Sequence, residues 1–161
     1  MLQAAFGATV NLKNLTIVNG AGMNPLAMAA FADGRRAITL GDTVFINKNF
    51  YTNDLTGDAP GTYLISHEVT HVLQFQDYGF ARVLLSIAAE EAVSGLSGEP
   101  YRYDHRPNIP FKRETFEGQG AIVGDYIRYL KFPGALPSSG DRSVTSSLLN
   151  FKISGSGIYG N

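Results

Sequence analysis

The 161-residue chain contains no cysteine and no tryptophan, and only 3 histidines. Without cysteine, disulfide staples and thiolate ligands are both excluded, so any bound zinc has to be held by imidazole and carboxylate. An excess of one charge is also lacking. Lys and Arg number 13 against 14 Asp and Glu, a formal net charge of -1 with no basic block. This removes the electrostatic footprint of nucleic-acid or acidic-membrane binding. No apolar run approaches the length of a membrane span, and the first ten residues lack the basic n-region and apolar stretch of a signal peptide. The expectation is synthesis in the cytoplasm without a signal peptide, with any export left to a specialised secretion system. What is present is an ordinary globular composition, 44% hydrophobic and 11% aromatic, enough for the core of one domain.

Short β-branched runs at 15–18, 37–40 and 43–46 predict a small antiparallel sheet. The last two flank Gly41-Asp42, a two-residue hairpin signal. Asn24-Pro25 ahead of an Ala-rich segment that stops near Asp33-Gly34 predicts a first helix, with Asn as N-cap and Pro at the first helical position. A polar loop at 53–61 leads into a helix over 62–78, followed by another over 80–94. The stretch 95–113, rich in Gly, Pro, Tyr and charge, predicts an irregular excursion that walls a cleft. A last helix is expected over 114–130, stopped by Pro133. The fold class is therefore α+β, with a domain over 1–133 and a Gly/Ser-rich tail over 134–161.

The feature that carries chemistry is His67-Glu68-Val69-Thr70-His71. On a helix, residues four apart lie one above the other on a single face, so two imidazoles so spaced can share one metal ion while the acid between them handles a proton. Ile65, Val69, Val72 and Leu73 form one apolar stripe of that helix, and His67, His71 and Gln74 lie nearly opposite. The histidines thus point away from the main core, towards a cleft bordered by Leu64, Phe75 and Tyr78. The site predicted is a zinc centre in which Glu68 is the catalytic base.

A hydrolytic zinc site wants three protein ligands and one open position. Glu117, Asp77 and His105 are the candidates for the third. Glu117 lies at the start of the last helix with Gly120 and Gly124 on its stripe, and two glycines beside a carboxylate let a second helix come close. Asp77 lies six residues beyond His71, but Gln74 stands where a helix-breaking glycine would be needed to turn it back to the metal. His105 falls in the irregular stretch. Asp125 is a candidate to orient a ligand histidine, and Tyr103 and Tyr126 are candidates to donate to a developing oxyanion.

Three blocks in order, Ala37-Ile-Thr-Leu-Gly-Asp-Thr-Val-Phe-Ile, Leu64-Ile-Ser-His-Glu-Val-Thr-His-Val-Leu-Gln-Phe-Gln and Glu117-Gly-Gln-Gly-Ala-Ile-Val-Gly-Asp-Tyr, resemble the zincin-type metallopeptidase domain associated with bacterial contractile injection systems. Close variants of that domain are the Vgr-related proteins of type VI secretion. The resemblance spans roughly residues 37 to 130. It implies a zincin-like fold, Zn2+ held by His67, His71 and Glu117, Glu68 as base, and a protein or peptide substrate hydrolysed at an amide bond. It also implies a partner in the secretion apparatus. The alternative reading is a non-catalytic docking or assembly module. Gly118 and Gly120 depart from the Ala or Gln often found there, a change that weakens the helix start by propensity and permits closer packing.

Overall fold

The computed structural model describes residues 11–97, 111 and 114–135. After a 3-10 turn at Leu12–Asn14, the described elements run β1 (Thr16–Asn19), α1 (Pro25–Ala32), β2 (Ala37–Leu40), β3 (Thr43–Ile46), α2 (Ala59–Tyr78), α3 (Phe80–Ser97) and α4 (Phe116–Lys131). The class is α+β. Expected strand and helix positions agree closely with these, and local chemistry explains why. The Asn24 side chain accepts from the N–H groups of Leu26 and Ala27 at 3.0 and 3.1 Å, capping α1 behind Pro25. Gly41 takes a positive φ of 64° between β2 and β3, while Asp42 does not, the pattern of a II′ hairpin turn.

The sheet is mixed rather than antiparallel. Its order is β1-β3-β2, with β2 antiparallel to β3 and β1 parallel to β3. The periodicity of β1 was compatible with either direction. Direction is set by α1, which carries the chain across between β1 and β2, so that β1 joins the free side of β3 running the same way. β3 becomes the central, buried strand, and β2 is left at an edge.

α2 begins three residues before its expected start. Asp58 accepts from Gly61 N–H at 2.7 Å and Pro60 sits in the first turn, so the residues that read as the end of a loop are the opening of the helix. α2 stays unbroken through Gln74 and stops at Gly79, whose φ of 82° turns the chain directly into α3. α3 runs through Gly95 to Ser97, and α4 starts two residues later than expected because Thr115 is its N-cap, accepting from Gly118 N–H at 2.9 Å. Ile65, Val69, Val72 and Leu73 pack with Val44 and Ile46 of β3 and with Ala121, Val123 and Ile127 of α4 in one core. The opposite stripe of α2 is buried as well, because α4 and the cavity wall cover it. The greater part of the 95–113 excursion and of the 134–161 tail lies outside the described residues. No described helix is long and apolar enough to cross a membrane.

Candidate metal centre

α2 presents His67 and His71 to Glu117 of α4, and all three side chains are buried. His67 Nε2 is 3.1 Å from His71 Nε2 and 3.1 Å from Glu117 Oε2, and His71 Nε2 is 3.5 Å from Glu117 Oε1. Tetrahedral zinc bonds of about 2.0–2.1 Å set ligand atoms about 3.3–3.4 Å apart, so these separations match three corners of such a site. Two imidazoles and one carboxylate, converging within 4.8 Å of one another, form a donor set suited to zinc.

Two glycines permit this approach. A Cβ at Gly120 would stand 2.8 Å from His67 Cε1, and one at Gly124 would stand 2.8 Å from Tyr63 Cδ2. Only a residue without a side chain lets α4 lie this close to the histidine face of α2. The start of α4 is fixed from another direction, because Glu90 of α3 accepts from the N–H groups of Phe116 and Glu117 at 2.9 and 3.0 Å. A carboxylate there also favours the positive end of the helix dipole. Burial raises the Glu90 pKa, against the lowering by those two N–H groups.

The orientation of His71 is determined by groups to which sequence reasoning gave no role. Phe116 and Glu114 carbonyls can only accept, and they receive the amide nitrogens of Gln74 at 3.1 Å and Gln119 at 3.0 Å. Gln74 Nε2 also donates to Gln119 Oε1 at 3.0 Å, which leaves Gln74 Oε1 facing His71 Nδ1 at 2.7 Å. Nδ1 therefore carries a hydrogen, and Nε2 is the atom turned to His67 and Glu117. Gln74 was visible on the histidine stripe, but nothing in the sequence pairs it with Gln119.

Burial on its own pulls the His71 imidazole down, yet the Glu117 carboxylate and, more weakly, Glu68 and Gln74 overcome this and raise it from 6.5 to about 9. Burial would likewise push Glu117 up, but His71 and His67 hold its carboxyl well below the ordinary range. In the metal-free protein the two form a buried ion pair. His71 contributes stability that is complete below about pH 6.5 and is lost as the pH rises through about 9. Glu117 contributes stability present above its ordinary value and lost as the pH falls towards its depressed one. Chelator-treated protein is therefore expected to show a falling unfolding midpoint between pH 6.5 and 9, measured by thermal denaturation, and Glu117→Gln is expected to flatten that slope.

Glu68 is buried on the same helix, and its Oε2 accepts from Thr39 Oγ1 of β2 at 2.7 Å. It lines, with His67, His71 and Glu117, a cavity of about 840 Å³ bounded by α1, β2, α2 and α3. Thr39 had no sequence signal, since its role depends on how β2 lies against α2. Asp77 is exposed near the end of α2, outside the cluster, and His105 and Tyr103 lie outside the described residues. Asp125 is buried on α4 and pairs with Arg128, while the group on His71 Nδ1 is Gln74. Tyr126 belongs to the apolar core, where burial raises its pKa, and it is not among the residues lining the cavity.

Residues 2–79 match the family model of the eCIS core domain, the core domain of extracellular contractile injection systems. The match associates the chain with contractile injection systems. It covers just under half of the sequence, from ahead of β1 to the end of α2. His67, Glu68 and His71 fall inside it, and Glu117 falls outside. No curated protein and no solved structure matches the chain.

Proposed function

We propose that the chain is a zinc-dependent metallohydrolase of the zincin type, a peptidase acting within a contractile injection system. The observation that carries this reading is the convergence of His67, His71 and Glu117 on a cavity that Glu68 also lines. A zinc ion held by those three residues would supply Lewis acidity, acidifying a water molecule and polarising the carbonyl to be attacked. Glu68, held at one oxygen by Thr39, would be the base that accepts a proton from the attacking water and returns it to the departing amine. Gln74 and Gln119 keep His71 from turning, and Glu90 holds the backbone that carries Glu117. The injection-system association supports a secretion-apparatus partner.

An assembly module is the competing reading, favoured by a matched core that ends at residue 79, before the third ligand. Glu68→Gln separates the two. Zinc-loaded wild type and variant are compared on unfolded proteins and on peptidoglycan peptides, with and without chelator. The expected result is a turnover loss of about 10²–10⁴-fold in the variant, with zinc stoichiometry unchanged. Equal turnover in both would sink the catalytic assignment.

A further inference from the structure

We infer that the cleft receives the interior of an extended polypeptide and seats a large apolar side chain against Leu84 and Ile87 of α3, so that cleavage is internal rather than from a chain end. The cleavage part of this inference rests on the peptidase reading; the binding part does not.

Length is the first argument. The residues of α2 that line the cavity run along one stripe from Pro60 through Leu64, His67, Glu68 and His71 to Phe75. At 1.5 Å per residue this is about 22 Å, room for about six residues of extended chain. His67 and His71 lie inside that stripe, with lining residues beyond them in both directions. A site that trims a terminus ends at its reaction centre, whereas this one continues past it on either side.

Charge is the second argument. A terminus-trimming site holds a charge in reserve for the free carboxylate or amine of its substrate. Here Arg35 is tied to Glu91 of α3 through both of its terminal nitrogens, and Asp58 is occupied in capping α2. Glu68 accepts from Thr39, and Glu117 faces the two imidazoles. Arg36 lies over the Phe50 ring, 5.2 Å from its centroid, and it and Asp33 are exposed groups of opposite sign. Among the described residues of the wall, the charged groups are engaged with neighbours or, as Asp33 and Arg36, stand exposed with opposite signs, and none is held in reserve for a chain end.

The apolar subsite follows from α3. This helix doubles back from α2 at Gly79, and Leu84 and Ile87, one turn apart, line the cavity together with Phe75. Both are only half-buried. A leucine or phenylalanine side chain of a bound peptide would cover their remaining surface, a gain that an alanine realises only in part and an aspartate opposes.

The test uses the full zinc-loaded chain and acetylated, amidated decapeptides that differ at one central position, Leu, Phe, Ala or Asp, beside the same peptides with free ends. Products are located by mass spectrometry. Expected are internal cuts, equal rates for blocked and free peptides, and kcat/KM at least about tenfold higher for Leu and Phe than for Asp. Ile87→Lys and, as a second variant, Leu84→Lys should erase that preference while zinc binding stays unchanged. In parallel, binding of the blocked Leu peptide to zinc-loaded Glu68→Gln is followed by fluorescence anisotropy. Release of single residues from one end, with blocked peptides resistant, would overturn this inference and leave the peptidase reading intact. Binding that Ile87→Lys weakens, without turnover by wild type, would uphold the cleft assignment and overturn the peptidase reading. Neither turnover nor binding would overturn both.

Discussion

Glu117→Ala is expected to lower zinc affinity more than any other single truncation on α4, and by more than Gln74→Leu on α2. Competition against a chromophoric chelator measures both. Glu117 is the third corner of the donor set, with oxygens 3.1 and 3.5 Å from the two imidazole Nε2 atoms. Its loss would leave two neutral donors and remove the one carboxylate of the set, the group that would offset a bound cation's charge. Gln74 lies outside the donor set. It holds His71 by Nδ1, and loss of such an outer partner costs about 10- to 100-fold in metal affinity. The Glu117 variant should fall beyond that range and the Gln74 variant within it. The order matters more than either value. Were Glu117→Ala to retain zinc at wild-type affinity, the three-ligand assignment would be wrong, and the cluster would be only a buried ion pair between His71 and Glu117. Leucine at 74 should also leave the amide nitrogen of Gln119 on the Glu114 carbonyl, so the start of α4 should keep its place. Loss of affinity in that variant would then report the orientation of one imidazole and not the collapse of the helix.

How much of this centre could be read from the sequence follows from what kind of interaction sets each part. His67 and His71 are fixed by helical periodicity, a local property, and their common face was readable from spacing alone. Glu117 was readable for a less direct reason. Gly120 and Gly124 cost helix propensity, and a cost at two positions on one stripe signals a close neighbour, here the rings of His67 and Tyr63. Caps were readable too, at Asn24 and at Pro133. Asp58 was overlooked because Gly57 and Gly61 around it read as loop, although a Cβ at Gly61 would come within 2.5 Å of the Leu55 carbonyl oxygen. That glycine is there for packing and not to end a turn. The direction of β1 was beyond reach, since a four-residue strand pairs either way until the crossover by α1 decides it. Thr39 on Glu68, Glu90 on the α4 N-terminus and Gln119 on Gln74 join residues 29, 27 and 45 positions apart. Each is a polar side chain whose partner exists only once the helices have packed, and no periodicity encodes such a pair.

Substituting alanine at Gly120 is expected to impair the metal centre, whereas the same change at Gly124 is expected to cost stability and largely spare it. Both positions lie on the stripe of α4 that faces α2. At Gly120 the new Cβ would sit 2.8 Å from Cε1, 2.9 Å from Nδ1 and 3.0 Å from Nε2 of His67. The imidazole is buried between Tyr63 and His71, its ring 5.8 and 4.8 Å from theirs, so it has little room in which to yield. Either the ring turns, and Nε2 leaves its place 3.1 Å from Glu117, or α4 backs away and takes Glu117 with it. Both outcomes spoil the three-way convergence. At Gly124 the contact is with Cδ2 and Cε2 of Tyr63, at 2.8 and 2.9 Å, and with its backbone oxygen at 3.1 Å, one turn of α2 before His67. Overpacking at either site costs typically about 1–3 kcal/mol, against which alanine regains up to about 1 kcal/mol of helix propensity. Thermal unfolding of the two metal-free variants should therefore differ little. Zinc affinity should separate them, falling at least about tenfold further for Gly120→Ala, by the same logic that makes loss of an orienting group cost about 10- to 100-fold. Equal affinities in the two variants would mean that α4 yields as a rigid unit under any added bulk, and that the close approach at Gly120 serves packing alone.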